Sequence, residues 1–207
     1  MAIKMQTVGS SQGESYQGDG SSGFYIWGAM LEQQSYATSY IPTAGTTITR
    51  AAETCNNSKP SVNSTEGVLY AEIASLTSDV SSDNRIVLAK SGDTNNVVRL
   101  YYNTTSNTIQ YKVRVASSNV CDLTYDLGDS TEFHKICGKW KQNDFALWVD
   151  GVEVATDTSG AIFPADTLNT SNFSNANASG DEFYGKVKGL AVYNEALTDA
   201  QLTTLTS

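Results

Sequence analysis

The chain has 207 residues, enough for one all-β domain of ordinary size and an extension. Acidic residues outnumber basic ones by 22 to 13, a formal net charge of -9, which leaves little from which to build the basic face of a nucleic-acid binder. Charged residues make up only 17%, and the Ser, Thr, Asn and Gly that fill much of the remainder suit pleated sheet and tight turns.

No apolar run approaches the length that spans a bilayer, and "MAIKMQTVGSS" lacks the apolar core of a signal peptide. The expectation is a protein made in the cytoplasm without membrane insertion. Residues 1–23, with "GSSQGESYQGDGSSG", read as a flexible Gly/Ser-rich segment. Residues 24–52 read as a linking strand and loop, and residues 53–207 as one sandwich domain. The linker opens on Phe24, Tyr25, Ile26 and Trp27. An unpaired strand of that composition is an open, sticky edge, so it is expected to bind a partner chain or the sandwich itself.

From Gly67 onward the hydrophobic period is two, as in a half-buried strand. In "GVLYAEIASL", Val68, Tyr70 and Glu72 share one face and Leu69, Ala71 and Ile73 the other. "RIVLAKSGD" is a short apolar strand. "NVVRLYYNTTSNTIQYKVRV" is a hairpin whose second arm sets Ile109, Tyr111, Val113 and Val115 against Gln110, Lys112 and Arg114. "HKICGKWK" aligns Ile136, Gly138 and Trp140. "FALWV" aligns Phe145, Leu147 and Val149, with Trp148 opposite. Asp150-Gly151 is a tight turn into "VEVAT". Lys135, Lys139 and Lys141 share one strand face, expected to be solvated. Residues 164–180 read as a long loop, and "EFYGKVKGLAVYN" as the last strand. Thr198 followed by Gln201 is a capping box, with Leu197 and Leu202 at staple positions, so a short helix closes the chain.

Cys55, Cys121 and Cys137 are odd in number and share no metal spacing, which argues against a disulfide framework or zinc site. Cys121 and Cys137 would pair only if strands brought them together. Many short strands with turns between them predict an all-β fold: a two-sheet antiparallel jelly-roll sandwich with a C-terminal helix and an N-terminal extension.

Two blocks carry a family resemblance. "FHKICGKWKQNDFALWVDGVEVATDTSG" and "FYGKVKGLAVYNEALTDAQLTTLTS" resemble the laminin-G-like, concanavalin A-like lectin/glucanase superfamily. The opening "IWGAMLEQQSYATSYIPTAGTTITRAAE" is similar to a segment of bacteriophage tail-fibre and other virion proteins, at Ile26–Glu32, Ala37–Thr43 and Thr49-Arg50; Met30 stands where Gln is usual. The first resemblance implies the sandwich fold and leaves function open, because the fold hosts lectins, hydrolases, lyases and passive modules. The second implies a virion protein, with other virion chains or a cell-surface glycan as partners and a trimer as the usual oligomer.

Chemistry is sparse. Glucanase-type jelly rolls use paired carboxylates, and no Glu-x-Asp-x-x-Glu string occurs. Glu153 and Asp157 are placed on opposite faces of a strand, Glu72 stands alone among apolar residues, and the sole histidine, His134, reads as structural. Glycan binding needs exposed rings with amides nearby; Trp148, Tyr102 and Arg99 are the candidates. No cofactor is expected, with Ca²⁺ the one metal considered. Its candidate ligands are Asp79, Asp83 and Asn84; Asp93, Asn95 and Asn96; and Asp181 with Glu182, in three polar loops without a defined spacing. The expected function is a non-enzymatic structural or adhesion module of a virion, binding carbohydrate or protein. The alternatives are a glycan-active hydrolase or lyase on the same fold and a stand-alone lectin.

Overall fold

The structure is a computed structural model that describes residues 20–21, 25, 28–31, 39–49, 61–79, 84–90, 93–174 and 182–207. The chain divides into two compact units, Met1–Glu53 and Thr54–Ser207. In the first unit the described residues carry neither helix nor strand. Phe24, Ile26 and Trp27 lie outside the described residues. Tyr25 stands fully exposed and Leu31 nearly so.

The described residues of the second unit form ten strands and one helix: β1 (Glu66–Ser75), β2 (Asn84–Ala89), β3 (Val97–Tyr102), β4 (Thr108–Val115), β5 (Ser118–Asp126), β6 (His134–Lys141), β7 (Phe145–Val149), β8 (Val152–Asp157), β9 (Thr170–Asn172), β10 (Gly185–Tyr193) and α1 (Asp199–Thr206). The strands make two five-stranded sheets, ordered β10-β1-β6-β7-β8 and β5-β4-β3-β2-β9, with every pairing antiparallel.

Alternation decides which side chains meet between the sheets. Leu69, Ala71, Ile73, Ile136, Trp140, Phe145, Leu147 and Val149 come from the first sheet, and Ile86, Leu88, Val98, Leu100, Tyr102, Ile109, Tyr111 and Val113 from the second; all are buried in one core. At about 1.5–3 kcal/mol for each large apolar side chain removed from water, this cluster is the main stabilising term. Gly138 lets the sheets close. A Cβ there would stand 2.3 Å from the Tyr111 ring, and the Tyr111 hydroxyl reaches past it to donate to the Lys139 carbonyl at 2.9 Å. One side chain of the second sheet is thus bonded to the backbone of the first.

Several local expectations change. The stretch 164–180 is not all loop: Thr170–Asn172 pairs with β2 as β9. The β4–β5 hairpin turns through Ala116 and Ser117, both at positive φ. That turn is braced from outside, because the Ala116 N–H donates to Asn96 Oδ1 at 3.0 Å and the Ser117 N–H to the Asn95 carbonyl at 3.0 Å. Glu153 and Asp157 do lie on opposite faces, opposite Trp148 and Phe145 respectively. Their separation comes from the bulge after Leu147, since residues four apart in a regular strand share a face. Lys135, Lys139 and Lys141 share a face as expected, but that face is not uniformly solvated. Lys139 is buried, with its ammonium 2.7 Å from Asp144 and 3.9 Å from Asp199.

Candidate functional site

A sandwich offers two outer faces to a ligand, and here they differ. On the first sheet, Val68, Cys137, Ala146 and Trp148 form a second apolar cluster closed by Leu197 and Leu202. The helix that covers them starts where the sequence stops it from fraying. The Gln201 N–H donates to Thr198 Oγ1 at 3.4 Å, and the Thr198 N–H donates to Gln201 Oε1 at 2.9 Å. Its far end is tied to the Asp150-Gly151 turn, where the Gly151 N–H donates to Thr206 Oγ1 at 3.0 Å. Lys135 also donates to the Ser207 carbonyl.

Trp148 therefore does not present its ring to solvent. It is on the outer face, as its parity requires, but α1 packs over it and leaves 5% of it exposed. Its indole N–H meets no acceptor among the described residues. The missing information was tertiary: a period-two pattern assigns a face and says nothing about what packs onto it.

The outer face of the second sheet differs in chemistry, and on it Val87, Ala89, Val97 and Tyr101 are also buried. Register places Arg85 (β2), Tyr101 (β3), Gln110 (β4) and Thr124 (β5) in one cross-strand row. The next row is Val87, Arg99, Lys112 and Asp122, with Asn172 of β9 beside Val87. Tyr101 is the floor: the Arg85 guanidinium lies 5.6 Å and the Lys112 ammonium 5.9 Å from its ring centroid. These are cation–π distances. Lys112 also meets Asp122 Oδ2 at 2.9 Å, and Gln110 Nε2 donates to the other oxygen of the same carboxylate. Burial works to lower the Lys112 pKa, but hydrogen bonds to Asp122 and Tyr101 outweigh it and hold the ammonium above its usual range. Arg85, Arg99, Gln110 and Lys112 are half-buried; Asp122 and Thr124 are exposed.

Of the residues expected to meet a sugar, Arg99 belongs to this face and Tyr102 does not. Residues 99 and 101 share a face, and 102 points the other way. Tyr102 is in the core, stacked on Phe183 with 6.2 Å between ring centroids, and desolvation holds its hydroxyl well above the ordinary tyrosine range. Arg85, Tyr101, Gln110 and Lys112 were not proposed from sequence. The alternation already set Gln110, Lys112 and Arg114 against the core, but the strand order that brings Arg85 and Arg99 beside them cannot be read from one chain segment. That order also gathers cations in space where composition showed no cluster.

Of the three loops proposed for a metal, that of Asp93, Asn95 and Asn96 lies wholly among the described residues. Asp83 and Asp181 lie outside the described residues. Asp79 sits by the β3–β4 turn, where the Asn107 N–H donates to the Ser78 carbonyl, and Asp93 by the β4–β5 turn. The full length of β4 separates these two loops. Within its own loop Asp93 accepts from the Asn95 N–H at 2.7 Å and Asn96 Nδ2 at 2.8 Å, which lowers its pKa. Among the described residues no group of three or more His, Cys, Asp or Glu could hold a metal.

His134 is occupied at both ring nitrogens, Nδ1 by Asp150 Oδ2 at 2.6 Å and Nε2 by the Asp129 carbonyl at 2.9 Å. Glu72, on the outer face of β1, lies 3.4 Å from the Lys188 ammonium. Cys121 belongs to the core cluster and Cys137 to the outer cluster of the other sheet, so they do not pair. Burial pushes each thiol up to about 12; charge from Asp157 and Asp122 adds to the effect at Cys121.

Two five-stranded antiparallel sheets closed by a capped terminal helix define a jelly-roll sandwich. The chain belongs to the concanavalin A-like lectin/glucanases superfamily, whose family model matches residues 74–203. No curated protein matches the sequence. Among solved structures, domain 4 of AbnA, an extracellular arabinanase of Geobacillus stearothermophilus in complex with arabinotriose, is 14% identical with a TM-score of 0.57, covering 73% of this chain and 71% of that one. The CBM40 module of the Ruminococcus gnavus IT-sialidase is 16% identical with a TM-score of 0.55, covering 70% and 84%. The heptameric SAP-like pentraxin of Limulus polyphemus is 16% identical with a TM-score of 0.52, covering 70% and 71%. These likenesses show the fold.

Proposed function

We propose that the chain is a non-enzymatic glycan-binding module whose ligand face is the outer face of the β5-β4-β3-β2-β9 sheet. One observation carries this reading: α1 packs over Trp148 on one outer face, while the other gathers Arg85, Arg99, Gln110 and Lys112 around Tyr101. Amides and cations supply the directional donors that sugar hydroxyls and acids need. The fold shared with an arabinanase domain and a sialidase CBM40 supports it by analogy. A binding role also fits the residues weighed for catalysis, with His134 held at both nitrogens and Glu153 and Asp157 divided between faces.

The setting proposed is a bacteriophage virion, in which the module attaches particles to a cell-surface glycan or to other virion chains as part of a homo-oligomer, a trimer first. The resemblance of residues 26–50 to virion connector segments supports this. A glycan array probed with the labelled chain tests the binding role. Retention on a defined glycan is expected; no retention across a broad array refutes it. Mass spectrometry of purified virions tests the setting, and absence of the chain from particles refutes that part alone.

A further inference from the structure

The chain's one histidine stands between two aspartates at one end of the sandwich, and both of its ring nitrogens meet acceptors. Nδ1 lies 2.6 Å from Asp150 Oδ2 in the β7–β8 turn, and Nε2 lies 2.9 Å from the Asp129 carbonyl in the β5–β6 connection. A carboxylate and a carbonyl can only accept, and a neutral imidazole has one N–H to give. Only the imidazolium makes both bonds. The Asp129 carboxylate adds to the field around the ring: hydrogen bonds from Thr131 lower its pKa, and attraction to His134 lowers it further.

The other charges nearby are engaged elsewhere. Lys135, next in β6 and opposite Glu72 of β1, donates its ammonium to the Ser207 carbonyl. Lys188 of β10 lies over the neighbouring Phe133 ring and beside Glu72. Glu132 shares the Asp129 connection and gives its N–H to the Asp129 carbonyl at 3.4 Å. Helix α1 carries Asp199, at its other end near Lys139.

The bond to Asp150 reaches beyond the turn. Asp150 Oδ1 accepts from the Lys135 N–H at 2.9 Å, and the Asp150 N–H donates to the Lys135 carbonyl at 3.0 Å. The next residue, Gly151, donates to Thr206 of α1 at 3.0 Å. One carboxylate thus joins the histidine, β6 and the turn, and the turn holds the helix that covers Trp148.

We propose that His134 is a pH-operated clasp. As the imidazolium it fastens the β7–β8 turn to the β5–β6 connection. On losing a proton it releases one of them, which loosens the turn and the end of α1 tied to it. The sign follows from the donor count: the clasp is closed while the ring keeps both protons and opens as rising pH removes one. This device goes beyond glycan binding and does not depend on it.

The test is ¹⁵N NMR of the full chain from about pH 5 to about pH 8, the window in which histidine changes charge. The single imidazole reports its proton count through its two ring nitrogen resonances. Amide exchange, corrected for intrinsic rate, reports the bonds of Lys135, Asp150 and Gly151. As the ring loses a proton, protection at those three amides should fall about tenfold or more, the size of a charge-assisted hydrogen bond. Amides of β4 should keep theirs. In His134→Gln the three amides should show no pH-dependent step. Asp150→Asn keeps a residue that tolerates the positive φ of this position and removes the charged acceptor, so the step should shrink. Deprotonation of the ring with the three amides unmoved overturns the proposal, as does a step of equal size in His134→Gln.

Discussion

Replacing Leu202 by Ala tests whether α1 is a structural cover. Leu202 is fully buried against Trp148, Val68 and Cys137, and it is the deepest side chain the helix contributes. Truncation removes three carbons, a transfer cost of about 2.4 kcal/mol at ~0.8 kcal/mol per methylene. The cavity left beside the rigid Trp148 ring adds to it, for a total of about 3–4 kcal/mol within the range seen for buried leucines. For a domain of this size that lowers Tm by roughly 6–16 °C, at 2–4 °C per kcal/mol. Urea denaturation followed by tryptophan fluorescence, with calorimetry alongside, measures both quantities. Leu76→Ala, at an exposed leucine, is the control and should stay within about 0.5 kcal/mol. A Leu202→Ala loss below about 1 kcal/mol with an unchanged m-value would show that the helix does not seal this face, and Trp148 would return as a ligand candidate. If the helix is only a cover, the folded variant keeps its glycan binding.

Further outcomes follow from the core, one turn and the buried acids. Gly138→Ala should destabilise by about 3 kcal/mol or more, because the new methyl has no room beside Tyr111; a cost under 1 kcal/mol in chemical denaturation would contradict the sheet spacing. Ser117→Gly should stabilise by a few tenths to about 1 kcal/mol, since Gly relieves positive φ, and a clear loss in the same assay would mean that its hydroxyl bond to Asn95 outweighs the strain. Folding keeps Cys121, Cys137, Tyr102 and Tyr111 protonated, with pKa values raised by burial. Their contribution is complete below the unfolded values of about 9–10 and is lost as pH rises towards the folded ones, about 12 for the thiols. Stability measured by urea titration should thus decline from about pH 9 upward, and Cys137→Ala should flatten that slope; a stability profile level to about pH 11 would contradict the burial of these groups.

The sheets were legible because side chains alternate between the inter-sheet core and an outer face, so parity alone separates Leu69 from Tyr70 and Tyr111 from Lys112. The helix was legible because its start is written locally, in Thr198, Gln201 and the flanking leucines. The β4–β5 turn lacks an Asn-Gly signal, because it is Asn95 and Asn96, about twenty residues upstream, that brace Ala116 and Ser117. Short β9 exists only because β2 offers it an edge. The candidate site needed sheet order most of all. Arg85, Arg99 and Lys112 lie on three strands, and nothing local brings them together; Trp148 looked available only while the helix above it was unplaced.

The most direct test of the ligand face is a map of amide chemical-shift changes as the ¹⁵N-labelled chain is titrated with a glycan retained on the array. The account predicts that the largest shifts fall on β2, β3 and β4, around Arg85, Arg99, Tyr101, Gln110 and Lys112, with α1 and β8 unmoved. Shifts centred on α1, Trp148 and β8 would contradict it.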